Sequence, residues 1–297
     1  MSNRHWLLLI ALSVIWGASF FLMAIALRDL PPLTIVAARV ALGAAFLLVL
    51  ARALPRNRAG WIAAAGMAVL NNALPFTLIV LAQGHIASGL AAVVNAATPV
   101  FAMLLAAGLT QDERLTSRRL AGALTGIAGV ALLAGPAALA GGNEVLGILL
   151  CLGACLSYGF ASVWSRRIRA AGLAPMQAAA GQCLVATLIM APLALAVDQP
   201  WRLAPGAASL AALLMLGLVA TGLAYALFFA LIAGAGATNA VLVTLLVPVT
   251  ALLLGTLALD EVLAPRHLAG MAVIGAGLLL IDGRLISAAA ARPRSRR

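Results

Sequence analysis

Lysine is absent from this sequence, and charged residues of every kind make up only 9% of its 297 residues. All of the basic residues are arginines, only eight residues are acidic, and 64% of the chain is hydrophobic. A soluble domain of this length needs a charged surface, which this composition cannot supply. The composition therefore excludes a soluble protein and predicts an integral membrane protein.

Cysteine is scarce as well, with only Cys151, Cys155 and Cys183 present. Three cysteines in apolar surroundings do not form a disulfide framework, and without neighbouring histidines or carboxylates they make a poor metal site. We interpret them as small packing residues, and we expect neither a metal nor a cofactor.

Ten apolar stretches occupy nearly the whole chain. A helix needs about 20 apolar residues to cross the ~30 Å hydrocarbon core of a bilayer. The sequence therefore predicts an all-α integral membrane protein with ten transmembrane helices. The predicted helices are Trp6–Leu27, Leu33–Leu54, Trp61–Gln83, Ile86–Leu109, Arg119–Gly135, Val145–Trp164, Pro175–Val197, Ser209–Ile232, Thr238–Leu259 and His267–Ile286.

The arginines predict the orientation of these helices. If the N-terminus is cytoplasmic, fifteen arginines fall in cytoplasmic segments, three fall outside (Arg28, Arg202 and Arg266), and Arg39 lies within the second helix. Short cytoplasmic loops carry an excess of arginine. We therefore expect a bacterial-type inner membrane protein with both termini cytoplasmic, whose basic C-terminal tail meets anionic lipid headgroups and not nucleic acid.

The second half of the chain repeats the first half. Counting from Glu113 and from Glu261 alike, a leucine follows at +7 and glycines follow at +9 and +16. We therefore divide the chain into five-helix repeats at residues 1–142 and 143–297. Because five is an odd number of crossings, the second repeat is predicted to insert upside down relative to the first. Inverted repeats of this kind are an architecture of transporters.

Several motifs together resemble the drug/metabolite transporter superfamily, and specifically its ten-helix EamA-type exporters. They are the stretch Trp16–Phe20 (sequence WGASF), the mid-helix Pro99 and Pro248, and the two Asp-Glu loops. The resemblance covers the full chain in two copies, although Val247 precedes Pro248 where the first copy has Thr98. It implies secondary export of small metabolites, and amino-acid exporters, such as the YddG-like exporters of aromatic amino acids, are a common type within this family.

No acidic residue lies deep within a predicted helix. Because a membrane-buried carboxylate is the usual proton or cation carrier, we expect uncoupled or weakly coupled alternating access and no cationic substrate. One alternative is a sugar-phosphate or other organic-anion exchanger, which needs several cavity cations. The other is a membrane-embedded transferase, which needs acidic metal-binding pairs or a Ser/His/Asp set. Neither pattern is present, so we do not expect an enzyme.

Six residues are predicted to line a substrate cavity. As the resemblance implies, helices 1, 3, 4, 6, 8 and 9 surround it. Two pairs of aromatic residues occupy matching repeat positions, and two of the asparagines within the spans are included. The alternative role of the asparagines is helix packing, and that of the aromatic residues is helix packing or contact with lipid. The amides would bind the ammonium and carboxylate of an amino acid, and with no fixed charge binding would be weak, broad and insensitive to ionic strength. The predicted residues are Trp16, Asn72, Phe76, Asn95, Tyr158 and Tyr225.

Three further features have predicted roles. Pro99 and Pro248 lie near the middle of helices 4 and 9, where each proline frees a backbone carbonyl, so they are predicted hinges with a static bend as the alternative. Arg39 lies seven residues from Pro32, about 10 Å along the helix. We favour snorkelling to the outer interface, or pairing, as its role. The alternative is that Arg39 binds a substrate carboxylate. A Gly122-x-x-x-Gly126 face predicts close packing between the two repeats or between the protomers of a homodimer.

Overall fold

The computed structural model describes residues 2–110, 116–134, 142–236, 240, 242–262 and 264–282. Within these ranges the regular structure is entirely helical and forms ten apolar helical segments and one short 3₁₀ helix, Pro200–Arg202. We number the ten segments α1 (Asn3–Ala26), α2 (Pro32–Ala51), α3 (Arg58–Gln83), α4 (Ser88–Leu109), α5 (Ser117–Ala134), α6 (Asn143–Ala170), α7 (Pro175–Val197), α8 (Ala207–Ala235), α9 (Val243–Ala258) and α10 (Pro265–Asp282).

Seven of these helices, α1–α4 and α6–α8, are long and apolar enough to cross a membrane, while α9 and α10 are shorter apolar helices. Each observed helix overlaps the predicted one, and α7 has the predicted bounds. α6 extends beyond its predicted end through a turn at Ser165. The loop with Asp112 and Glu113, the predicted start of α9 and the basic tail lie outside the described residues.

Packing relates the two repeats by an approximate two-fold axis. α2 packs along α7 and α5 packs along α10, so each of these pairs joins equivalent helices. The other main contacts occur twice: α1 packs on α9 as α6 packs on α4, and α1 packs on α8 as α6 packs on α3. Each of these contacts is therefore reproduced when every helix is replaced by the helix five places away in the chain. This symmetry of the contacts confirms the prediction of two inverted five-helix repeats. The division at residues 142 and 143 stays a prediction.

The glycine face of α5 packs between the two repeats. A Cβ atom at Gly122 would lie 2.7 Å from the carbonyl oxygen of Gly277, and one at Gly129 would lie 2.9 Å from that of Gly270. The two backbones therefore approach so closely that only glycine fits at these crossings. Of the two predicted roles for this face, the structure supports packing between the repeats.

Two π-helical segments interrupt α3 and α8 at equivalent places. They cover Ala68–Ala73 in α3 and Met215–Leu223 in α8. Such segments shift the register of a helix and often occur at functional sites. α4 is interrupted differently, because its helix stops at Asn95 and starts again at Thr98, immediately before Pro99. Pro248, in contrast, lies inside the continuous α9.

One end of the bundle carries acidic side chains. The chain connectivity brings Asp29, Glu144, Asp198 and Glu261 to the end where α2, α4, α6, α8 and α10 begin, and we call this the acidic end. The opposite end, where α2 stops at Ala51 and α5 begins next to Arg118, holds most of the described arginines. Because cytoplasmic segments carry an excess of arginine, the acidic end is predicted to face away from the cytoplasm.

Carboxylates tie the two repeats together at the acidic end. The backbone N–H of Thr34 donates to Asp198 Oδ2 over 2.7 Å, and that of Gly206 donates to Asp29 Oδ2 over 2.9 Å. The first residues of α4 donate in the same way to Glu261. In each case an acid of one repeat caps the N-terminus of a helix of the other repeat, where a negative charge is favoured. The repeats are therefore held closed at this end.

Candidate functional site

Arg39 lies at the centre of the bundle and is only 4% exposed. Its Nε donates to Thr221 Oγ1 over 3.0 Å, and its Nη1 contacts Met23 Sδ at 3.6 Å. The guanidinium carbon lies 3.9 Å from the centre of the Phe76 ring. The prediction that Arg39 snorkels to the interface is therefore wrong. Its side chain points between α1, α3 and α8, where a hydroxyl and an aromatic face receive it.

The π segment of α8 supplies the hydroxyl that binds Arg39. Thr221 is 2% exposed, and its Oγ1 also donates to the carbonyl oxygen of Leu216 over 2.9 Å. The predicted alignment of Phe76 with Tyr225 places Asn72 at the position in α3 that Thr221 has in α8. Asn72 is fully buried. Both π segments therefore present a polar side chain to the interior at equivalent positions.

Two adjacent amides of α3 bind the hydroxyl of Tyr225. Asn71 Nδ2 donates to Tyr225 Oη over 2.9 Å and Asn72 Nδ2 over 3.3 Å. Asn72 Nδ2 also lies 3.8 Å from Cys183 Sγ, while Asn72 Oδ1 is buried without a hydrogen-bond partner in the described part of the chain. Asn71 was not among the predicted site residues. The only sequence signal for it is the doubled asparagine inside an apolar span.

Aromatic rings form a wall beside this polar group. Trp16 packs on Phe228 with ring centres 5.3 Å apart, Phe228 on Phe229 at 5.8 Å, and Phe229 on Tyr225 at 6.2 Å. Tyr158, on α6, lies close enough to Arg39 and Tyr225 to interact with them electrostatically. The wall thus joins α1 of the first repeat to α8 of the second.

Asn95 lies apart from this group. It is the last residue of the first stretch of α4, and its backbone oxygen accepts a 2.7 Å hydrogen bond from Thr98 Oγ1. Cys155 Sγ on α6 contacts its side-chain oxygen at 4.0 Å. Among the described contacts, none joins Asn95 to Arg39 or Tyr225. Its place on a cavity wall stays a prediction.

We define the central group as Arg39, Asn71, Asn72, Phe76, Thr221 and Tyr225. It draws side chains from α2 and α3 of the first repeat and from α8 of the second. It combines one cation, neutral hydrogen-bonding groups and aromatic faces at the contact between the repeats. Such a group can bind a small molecule that carries a negative charge and an apolar part.

Comparison with known proteins places the chain in a family. A family model described as the EamA-like transporter family matches it twice, over residues 4–135 and 145–282. The chain belongs to the EamA-like transporter family. It is therefore a membrane transporter, which implies a small-molecule substrate and a lipid environment.

Full-length relatives of this EamA-like transporter occur in several bacteria. An uncharacterised protein of Pseudomonas aeruginosa is 34% identical over 97% of this chain and 99% of its own length. A probable amino-acid metabolite efflux pump of Salmonella typhimurium is 27% identical over 94% of this chain and 95% of its own length. The uncharacterised inner membrane transporter YedA of Escherichia coli is 28% identical over 92% and 89%.

A crystal structure of a protein with 22% sequence identity has the same fold as this EamA-like transporter. It matches with a TM-score of 0.68 over 98% of this chain and 100% of that chain. At this level of identity the likeness concerns the fold alone.

Proposed function

We propose that this EamA-like transporter exports neutral or aromatic amino acids by alternating access. The observation that carries the proposal is the position of the central group between the two repeats, where a change in their packing alters access from either side. The name of the Salmonella relative, a probable amino-acid metabolite efflux pump, supports the choice of substrate.

The proposed binding residues are those predicted from the sequence. The amides of Asn72 and Asn95 hydrogen-bond the polar groups of the amino acid, and each such bond contributes about 0.5–1.5 kcal/mol net. The aromatic side chains hold the apolar part of the substrate. Five of the six residues lie near the central group or on its aromatic wall, namely Trp16, Asn72, Phe76, Tyr158 and Tyr225.

We further propose that transport is uncoupled or weakly coupled to protons. In the described part of the chain, no acidic residue lies in the middle of a helix. Transport of the substrate against its own concentration gradient, driven by a pH gradient alone, would contradict this part of the proposal. The break of α4 beside Pro99 supports a hinge there. Pro248 lies inside a continuous helix, and its proposed role as the corresponding hinge rests on the match between the two repeats.

Two other functions compete with amino-acid export. A sugar-phosphate or other organic-anion exchanger is favoured by the buried charge of Arg39, although one cation is a poor match for a doubly charged phosphate. A membrane-embedded transferase fits less well, since the family and the named relatives are transporters. We therefore propose that the protein is not an enzyme.

The proposed location is the bacterial inner membrane with both termini in the cytoplasm. The name of the Escherichia coli relative supports the membrane, and the arginine distribution supports the orientation. We also propose a homodimer, whose interface does not use the glycine face of α5, because that face packs on α10 within the chain.

Efflux of a panel of labelled amino acids from proteoliposomes tests the proposal. We expect efflux of neutral and aromatic amino acids, lowered by Asn72→Ala and by Phe76→Ala. Phe160 is 39% exposed on the outer surface of α6, so Phe160→Ala is a matched control that removes the same ring without touching the central group. Amounts of folded protein are compared by size-exclusion chromatography. If both site variants transport at the original rate, these residues only pack and the cavity lies elsewhere.

A further inference from the structure

We propose that Arg39 binds the carboxylate of the transported molecule, which makes monocarboxylates, and zwitterionic amino acids among them, the substrate class. This inference deepens the proposed function and rests on it for the position of the binding site. It replaces the expectation of a site without fixed charge, because that expectation depended on a snorkelling Arg39.

Arg39 has hydrogen-bonding capacity that the protein does not use. A guanidinium carries five N–H donors. One binds Thr221 and one faces the weak acceptor Met23 Sδ. Nη2 donates to no atom of the described residues. A side chain that is 96% buried therefore keeps an unused edge for an acceptor.

The charge of Arg39 also lacks a counter-ion in the protein. In the part of the chain that the structure describes, no carboxylate lies within ion-pair distance of it. Glu144 pairs with Arg266, and Asp29, Asp198 and Glu261 bind the starts of helices at the acidic end. An unpaired charge inside a membrane protein is costly and marks a functional site. A bound anion removes that cost.

The surroundings of the guanidinium favour a single carboxylate. Phe76 covers one face of its plane, so an anion must approach along the edge, where a carboxylate binds through two parallel hydrogen bonds. Tyr225 adds a second donor, because its oxygen accepts from Asn71 and Asn72 and its own O–H has no acceptor among the described residues. One cation balances a carboxylate fully but leaves a phosphate dianion with excess charge.

The same cluster offers a place for the ammonium of an amino acid. Asn72 Oδ1 is a buried acceptor without a partner in the described residues. It belongs to the amide whose nitrogen contacts the Tyr225 hydroxyl, so an ammonium there is near a carboxylate held by Tyr225 and Arg39. The aromatic wall of Trp16 and Phe228 then faces the side chain of the substrate. The arrangement fits a zwitterion with an apolar side chain.

The competing role for Arg39 is purely structural, as a bond between α2 and α8 through Thr221. A structural role predicts that Arg39 variants lose stability to the same extent with and without ligand. A binding role predicts that they lose the preference for compounds with a carboxylate. The test must therefore compare ligands that differ only in this group.

The experiment measures binding to the purified full-length protein in detergent by isothermal titration calorimetry and thermal unfolding. The four probes are phenylalanine, phenylalaninamide, 3-phenylpropanoate and phenethylamine. They combine the same ring with a carboxylate and an ammonium, an ammonium alone, or a carboxylate alone. Wild type should bind phenylalanine at least about tenfold more tightly than phenylalaninamide, as expected for a charge-assisted bidentate pair.

Two variants and one control complete the experiment. Arg39→Gln should remove the preference for the acid over the amide, and Arg39→Lys should retain part of it, since lysine keeps the charge without the planar edge. Glutamine is a reasonable choice at this position, because Gln182, buried seven residues after the proline that starts α7, is its counterpart in the second repeat. Arg202→Gln, in the connector between α7 and α8, is the control and should retain the full preference.

The outcomes separate this inference from the proposed function. Equal binding of phenylalanine and phenylalaninamide by wild type, or an undiminished preference in Arg39→Gln, overturns the role of Arg39 even if amino acids are exported. If Arg39→Gln does not fold, the comparison of ligands in wild type and in Arg39→Lys decides. Binding of 3-phenylpropanoate without binding or efflux of any amino acid overturns amino-acid export and supports Arg39 as a carboxylate site. Failure of all four probes to bind overturns the role of Arg39, and absence of efflux of every labelled amino acid overturns amino-acid export.

Discussion

Glu261 joins the two repeats, so its replacement should open the acidic end of the bundle. Its Oε1 accepts a 2.7 Å hydrogen bond from the backbone N–H of Ser88, and its Oε2 accepts a 3.0 Å bond from that of Gly89. Glu261 belongs to the second repeat, and the two amides begin α4 of the first. Glu261→Gln removes the charge and converts one acceptor into an NH₂ group, which cannot accept from either amide.

The magnitude follows from the bonds that the variant loses. A hydrogen bond to a charged group contributes about 1.5–3 kcal/mol, and a negative charge at a helix N-terminus adds about 0.3–1 kcal/mol. Loss of one such bond and of the charge should weaken the closed state by about 2–4 kcal/mol. Since 1.4 kcal/mol is tenfold in an equilibrium constant, opening of the acidic end should become about 25- to 700-fold more favourable.

Hydrogen–deuterium exchange measured by mass spectrometry reads this change directly, because the amides of Ser88 and Gly89 exchange when their bonds to Glu261 open. Peptides from the start of α4 should exchange faster in Glu261→Gln by about the factor given above. Glu144→Gln is the matched control, since Glu144 is also at the acidic end but bonds to Arg266 within its own repeat. Unchanged exchange at the start of α4 in Glu261→Gln, or equal acceleration in Glu144→Gln, would refute the reasoning.

Three further predictions concern packing, pH and orientation. Gly122→Ala places a methyl group 2.7 Å from a backbone oxygen of α10 and should lower stability by about 1–3 kcal/mol, measured as thermal unfolding, whereas Gly275→Ala, where no atom lies within 4 Å, should not. The hydrogen bond from Ser209, and to a smaller extent that from the backbone of Gly206, lowers the pKa of Asp29 below its usual 3.8. The stability that Asp29 contributes is therefore present above that pH and is lost as pH falls through the lowered pKa. Ser209→Ala should lose less stability than wild type on acidification from about pH 6 to about pH 3, and an equal loss would contradict the assignment. Reporter fusions after the last residue and in the connector between α7 and α8 should report cytoplasm and exterior respectively, and the opposite readings would reject the orientation.

The helices and their repeat were predictable because apolar stretches indicate the helices and the matched spacing of residues in the two halves indicates the repeat. α7, for example, has the predicted bounds Pro175–Val197. The equivalence of Phe76 and Tyr225 came from aligning the two repeats, and both side chains are in the central group. Each of these features depends on residue order along one helix, which a sequence contains.

The partners of those residues were less predictable. The sequence predicts Asn72, but not Asn71, as a site residue, yet the side-chain amides of both donate hydrogen bonds to the Tyr225 hydroxyl. In a regular α-helix, adjacent residues point about 100° apart, so both are not expected to face one hydroxyl. The π segment of α3 changes the register at this point, and nothing in the apolar sequence around the two asparagines predicts it.

Composition, span length and the odd number of helices in each repeat predict an all-helical membrane transporter with an inverted repeat. The role of Arg39, in contrast, depends on tertiary contacts. Its distance from the start of α2 gives its depth in the membrane but not the direction of its side chain around the helix axis. That direction depends on the close contact of α2 with α8, where Thr221 receives the guanidinium. A charge expected to lie at the lipid interface is therefore buried between the two repeats.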